Sequence, residues 1–220
     1  MGIALCFVPL IIAVVIFSAG FKLKLLHLLL AVLYGLVAVL PISLIQYFMP
    51  AIPGLPLSPV VRALLKSLLL YGFVEEAIKT AALVPLPHKN ENQLGFLLLA
   101  FTAGLSLGCF ESVVYYFDHL QIANSRGATL LYGQIAVRIF TSDVIHMCCT
   151  GLCGLFLYTC RNKPRRISCL IAAILLHGIY DFFAGFSSGL RWFSVAVVLM
   201  AIAECRIKYT SLKNDENADN

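Results

Sequence analysis

Residues 2–20 and 25–48 contain no Lys, Arg, Asp or Glu. A bilayer's hydrocarbon core is about 30 Å thick, and a helix crosses it with about 20 apolar residues. A segment in lipid must satisfy its own backbone polar groups, so runs of this length are committed to helix. Further runs cover residues 60–84, 94–117, 127–160, 167–186 and 190–205. The chain is 60% hydrophobic and only 12% charged, whereas soluble domains carry about 25% charged residues. These runs predict an all-α polytopic membrane protein, a bundle of about seven transmembrane helices. Residues 1–205 read as one transmembrane domain and 206–220 as a polar, mobile cytoplasmic tail.

The boundaries carry their own signals. Lys22 and Lys24 mark a short turn, Pro41 a kink, and residues 49–59 a loop rich in proline that leads into the third run. The stretch 127–160 exceeds what one upright helix needs. Either its first third lies at the membrane interface or the helix is long and tilted. Cytoplasmic loops concentrate Lys and Arg. Lys22, Lys24, Lys89, Arg161, Lys163, Arg165, Arg166, Arg206, Lys208 and Lys213 fall on one side, against Arg62, Lys66, Arg126 and Arg191 on the other. That asymmetry puts the N-terminus outside and the C-terminus in the cytoplasm. Because the basic residues cluster at the ends of apolar runs, the net charge of +5 does not imply nucleic-acid binding. The eight cysteines have no CxxC pair and fall almost entirely within apolar runs, where they read as small packing residues. The first run lacks a basic leader and a small-residue cleavage site, and reads as a transmembrane helix rather than a signal peptide.

Against this background Glu75, Glu76 and Lys79 are out of place. A charge at the centre of a spanning helix costs roughly 2.5–3.5 kcal/mol, so such residues pair, line a wet cavity or do chemistry. At 1.5 Å rise per residue, Glu75 and Glu76 lie roughly 12–15 Å deep, His177 roughly 15 Å, His146 roughly 20 Å and Glu111 roughly 25 Å. Four helices thus bring an ionisable residue to one middle slab. Glu75 and Lys79 are i,i+4 and share a helix face; Glu76 points about 100° away. Asp181, one turn from His177, and Asp143, three residues before His146, are placed to fix imidazole tautomers. Asp143 also stands where it can pair with Arg138 instead. Gly104 and Gly108 form the small-xxx-small pattern that lets helices approach closely, with Glu111 one turn on.

Two imidazoles and several carboxylates in an interior slab suggest hydrolysis. A glutamate can take the proton from water, while histidines bind a metal or hold an oxyanion. As ligands, Glu111, His146 and His177 would make the His₂Glu set of a catalytic zinc site with one position open. A proton- or ion-coupled transporter also uses buried Glu, His and Asp, although no internal repeat is evident.

Glu75-Glu76-x-x-Lys79, Gly104-x-x-x-Gly108-x-x-Glu111 with Tyr115, His146 ahead of a glycine-rich apolar stretch, and His177-x-x-x-Asp181 together resemble the PrsW family of intramembrane proteases. The resemblance covers residues 60–186. It implies a multi-pass bacterial protease of the cell (inner) membrane that cleaves single-pass membrane proteins, with anti-sigma factors the best-known class. By analogy Glu75, Glu76, Glu111, His146 and His177 are catalytic, with Lys79, Asp181 and Asp143 supporting them. The related membrane-embedded CAAX prenyl proteases carry EExxxR as their first motif. Thr80 stands at the arginine position here, which argues against a prenylated substrate. The wider group includes metalloprotease and glutamate-type descriptions, so the resemblance leaves open Zn²⁺ or no cofactor.

Overall fold

The computed structural model describes residues 2–49, 56–87, 91–121, 128–162 and 166–218. Most of the proline-rich loop 49–59 lies outside the described residues, as do Lys89, Arg126, Lys163 and Arg165 of the basic count. Among the described residues the structure is all helical: α1 (Gly2–Ala19), α2 (Leu25–Phe48), α3 (Pro59–Lys66), a π-helical stretch (Ser67–Val74), α4 (Glu75–Leu83), α5 (Gln93–Asp118), α6 (Ala128–Phe140), α7 (Ser142–Asn162), α8 (Ile167–Ala184), a 3₁₀ turn (Gly189–Trp192) and α9 (Phe193–Ala218). Five segments are long and apolar enough to cross a membrane: α1, α2, α5, the α6–α7 unit to Cys160, and α8. Helix starts follow local chemistry. Ser58 Oγ accepts from Val61 N ahead of Pro59, and Asn92 Oδ1 accepts from Gly95 N at 2.8 Å.

Helices α5 and α7 form the centre. Segments α5 and α6–α7 are 72% and 67% buried, against 17% for α1 and 28% for α2. The outer helices expose Ile11, Val15, Leu26 and Leu40, a surface suited to lipid. In lipid, apolar contact alone does not hold helices together, and close packing through small residues takes over. A Cβ on Gly104 would collide with the His146 carbonyl and with Thr150 Oγ1; one on Gly108 would lie 3.0 Å from Asp143 Cα. The expected small-xxx-small approach is therefore the α5–α7 contact, and it seats α5 directly against the turn that carries His146. A second close approach joins the π-helical stretch to α8. A Cβ on Gly178 would meet Leu68 Cα at 2.8 Å, and one on Gly72 would strike the Ile174 carbonyl. His177, next to Gly178, is carried to Glu75 and Glu76 by this contact.

Three local features differ from the sequence expectation. The third span is interrupted by the π-helical stretch, whose wider turns change the direction of every side chain downstream. The long stretch 127–160 is two helices with a turn at Thr141, whose N–H bonds to Arg138 O at 3.1 Å. The terminal segment is helical as far as Ala218, the end of α9. There Leu212 is buried, Tyr209 O accepts from Gln93 Nε2 at 3.0 Å, and Arg166 pairs with Asp215. Tyr209 and Leu212, three apart, extend an apolar stripe beyond the last apolar run.

Candidate active site

Five helical elements converge on one buried polar cluster. Glu75, Glu76 and Lys79 come from α4, His177 and Asp181 from α8, His146 from α7, Glu111 from α5 and Gln46 from α2. Glu76 and Lys79 are fully buried in practice, at 0% and 2% exposure. Lys79 Nζ donates to Glu76 Oε1 at 2.7 Å and lies 3.6 Å from Glu75 Oε2. The i,i+3 partner is thus the closer one, and the i,i+4 pair read from sequence is looser. Cys153 Sγ approaches Glu76 Oε2 at 3.3 Å. His177 Nδ1 lies 2.7 Å from Glu76 Oε1, out of line for a hydrogen bond. Glu76 is therefore enclosed on every side by protein groups.

Glu75 has a different setting. Its Oε1 accepts from Gln46 Nε2 at 2.7 Å, while its Oε2 is buried with no hydrogen-bond partner among the described residues. That oxygen faces His177 Nε2 at 3.7 Å. Asp181 Oδ2 approaches the same nitrogen at 3.3 Å, as the i,i+4 spacing predicted.

His146 is held at both nitrogens. Its Nδ1 lies 2.9 Å from Lys79 Nζ, and its Nε2 lies 2.8 Å from Glu111 Oε2. An ammonium has only donors. Nδ1 must therefore accept, and Nε2 carries the proton it gives to Glu111. Glu111 also has Arg138 Nη2 at 3.8 Å. Asp143 does not orient His146. It accepts from Ser112 Oγ at 3.0 Å and has Cys109 Sγ at 3.8 Å, while Arg138 donates to Ser112 and Ser142 rather than to Asp143. The His146 and His177 rings meet edge to face with centroids 4.8 Å apart.

A cavity of about 520 Å³ opens on the cluster. Glu75, Glu111, His146, His177, Asp181 and Gln46 are among its walls; Glu76 and Lys79 are not. Within the site, Glu75, His146 and His177 each offer a ligand atom, all within 4.8 Å of one another. Glu111, rather than joining that triplet, grips His146 from outside it, as carboxylates grip metal-ligating imidazoles. The donor types and their spacing fit a divalent transition metal, and the unpartnered Glu75 Oε2 is a ready ligand atom. Both nitrogens of His146 are already engaged, so an ion would have to displace Lys79 or Glu111 from one of them.

Sequence reasoning missed Gln46. The signal was present: it is the lone amide in the mostly apolar α2, and a polar side chain within a membrane-spanning helix needs a partner. Tyr115 also lines the cavity, and its ring stacks under Arg138, 4.9 Å from the guanidinium carbon.

No curated protein and no solved structure matches the chain. The sequence profile described as PrsW family intramembrane metalloprotease matches residues 24–204, most of the chain. With apolar helices of membrane-spanning length around a buried Glu/His/His cluster, the chain belongs to the PrsW family of intramembrane metalloproteases and is a peptidase acting on membrane proteins within the bilayer.

Proposed function

We propose that the protein is an endopeptidase whose water-activating group is Glu75. The carrying observation is at Glu75: its Oε2 is buried without a hydrogen-bond partner among the described residues, and the residue lines the same cavity as both imidazoles. Gln46 fixes the other oxygen, so the free one is aimed rather than loose. A carboxylate held in this way takes a proton from water as it attacks the scissile carbonyl. His177 Nε2, 3.7 Å away, is the donor nearest the oxygen that becomes negative, and that oxygen takes the nitrogen over from Asp181 Oδ2, which holds it at 3.3 Å at rest. Glu76 and Lys79 hold this geometry from behind the cavity wall. Glu111 holds the ring of His146.

In a metal-bound form Glu75, His146 and His177 would hold the ion, Zn²⁺ being best suited to a His₂Glu donor set, and Glu75 and His177 would then serve as ligands in place of the base and donor roles above. When bound, such an ion lowers the pKa of water and polarises a carbonyl. The substrates we infer are single-pass membrane proteins of the anti-sigma-factor type, cleaved in the bacterial inner membrane. A seven-crossing topology would add the α3–π–α4 unit and α9 to the five segments that are long and apolar enough to cross a membrane. The basic residues then place the N-terminus outside and the C-terminus in the cytoplasm, and residues 1–205 act as one domain.

Reconstitution tests this reading. A single-pass reporter in liposomes is cleaved by the wild type, and cleavage is lost with Glu75→Ala or His177→Ala while each variant still accumulates in the membrane. Full activity in both would overturn the assignment. Metal analysis of purified wild type and His177→Ala, with chelator added to the cleavage assay, decides whether an ion is required.

A further inference from the structure

A second, larger cavity of about 1070 Å³ lies beside the catalytic one, bounded by α6, the C-terminal end of α8, the 3₁₀ turn and the start of α9. Tyr115 and Arg138 line both cavities. The stacked pair is therefore a shared wall, and an occupant of the larger cleft lies next to the catalytic cavity across it. The cleft's walls are mixed. Leu130, Val137 and Val195 supply apolar surface, and Gln134, Thr129 and Ser188 supply hydrogen-bonding groups. Its only charged lining groups among the described residues are Arg138 and Arg191. Arg191 is exposed, and no ion-pair partner is found for its side chain among the described residues.

We propose that this cleft binds the substrate segment next to the scissile bond, and that Arg191, with Arg138, selects an acidic residue in that segment. This rests on the peptidase reading above and names a specificity device for it. Arg138 already has Glu111 at 3.8 Å from outside the cleft, so the positive charge left uncompensated there is that of Arg191, with no carboxylate among the described lining residues. A glutamate or aspartate supplies both the opposite sign and the planar acceptor that a guanidinium fork matches. The position suits such a residue. Exposed Trp192 and Arg191 lie together at the start of α9, and Trp and Arg at a helix end mark the membrane–water boundary. An acidic side chain is costly at the bilayer centre but not at its edge. A substrate could therefore present an acidic flank at this boundary while its apolar helix stays in lipid. Adjacency to the catalytic cavity through Tyr115 and Arg138 favours a peptide over an anionic lipid headgroup as occupant.

The test uses the full chain in liposomes and reporters with one transmembrane helix. Each reporter carries a single Glu, Gln or Lys at successive positions of the flanking segment. Cleavage efficiency should favour Glu over Lys by about tenfold at the best position, the scale of a charge-assisted hydrogen bond. Arg191→Ala should erase most of that ratio and Arg191→Glu should invert it. A ratio is insensitive to how much enzyme folds. Occupancy is read separately by a photoreactive side chain in place of Val195, with cleavage blocked by Glu75→Gln. Crosslinking should show the same preference for Glu and the same inversion. Absent cleavage by the wild type would sink the peptidase reading, while crosslinking would still report on the cleft. Equal yields for Glu and Lys reporters, or a preference unmoved by Arg191→Glu, overturns the proposal. So does a crosslinking pattern that follows the liposomes' phosphatidylglycerol content and ignores reporter charge, which would assign the cleft to lipid.

Discussion

The two faces of α4 carry neighbouring glutamates in opposite settings. Glu75 points to the cavity with one oxygen unpartnered; Glu76 points inward and is enclosed by Lys79, Cys153 and His177. Adjacent residues on a helix are turned about 100° apart, so a two-residue motif places one carboxylate at the cavity and one behind it, which under the proposed function divides chemistry from architecture. The lesson concerns cost. A buried carboxylate with a full set of partners is structural, because removing it strands the others. One left with a free oxygen on a cavity wall is functional, because only a reacting partner completes it.

Substitutions can break this contrast. The largest effect is expected for Glu75→Gln: a loss of about 10³-fold or more in cleavage rate, within the range for removing a positioned general base, with little change in thermal unfolding. Glu76→Ala should do the reverse at comparable energy. It leaves the Lys79 ammonium buried without its closest partner, which costs about 3–5 kcal/mol, read as a lower unfolding temperature and poor accumulation. If Glu76→Gln with Lys79→Met restores stability, the pair is architectural, as the contrast requires. Glu111→Gln should act in between. Loss of the carboxylate behind a metal-ligating imidazole typically costs about 10–100-fold in metal affinity, measurable by competition with a chelator. Gly72→Ala sharpens the comparison from a distance. Overpacking the α8 contact should cost about 1–3 kcal/mol and lower activity by moving His177, with both glutamates intact.

Much of this site was legible in the chain. The apolar runs gave the helices, and counting residues inward placed Glu75, Glu76, His146, His177 and Glu111 in one slab; the structure does bring them into contact. Gly104 and Gly108 were read as a close approach, and they make one. Depth, however, says nothing about direction around each helix axis. Glu111 therefore looked like a ligand equal to the histidines, when it reaches His146 from outside the Glu75, His146 and His177 triplet. Asp143 failed for the same reason: three residues from His146, it turns to Ser112 on α5 instead. Gln46 and the Arg138–Tyr115 stack depend on which helices neighbour each other. No periodicity within one helix contains that information.

The π-helical stretch ahead of Glu75 has a consequence for how this chain tolerates change in length. Fewer degrees of rotation per residue accumulate across Ser67–Val74 than across an α-helix of equal length. The stretch thus sets the phase between the Gly72–Gly178 contact and the glutamate pair. Deleting a single residue there, even with every remaining side chain apolar and every hydropathy signal unchanged, would restore α-helical winding and swing Glu75 off the cavity wall. The segment with the plainest composition is therefore the one whose residue count is most tightly fixed.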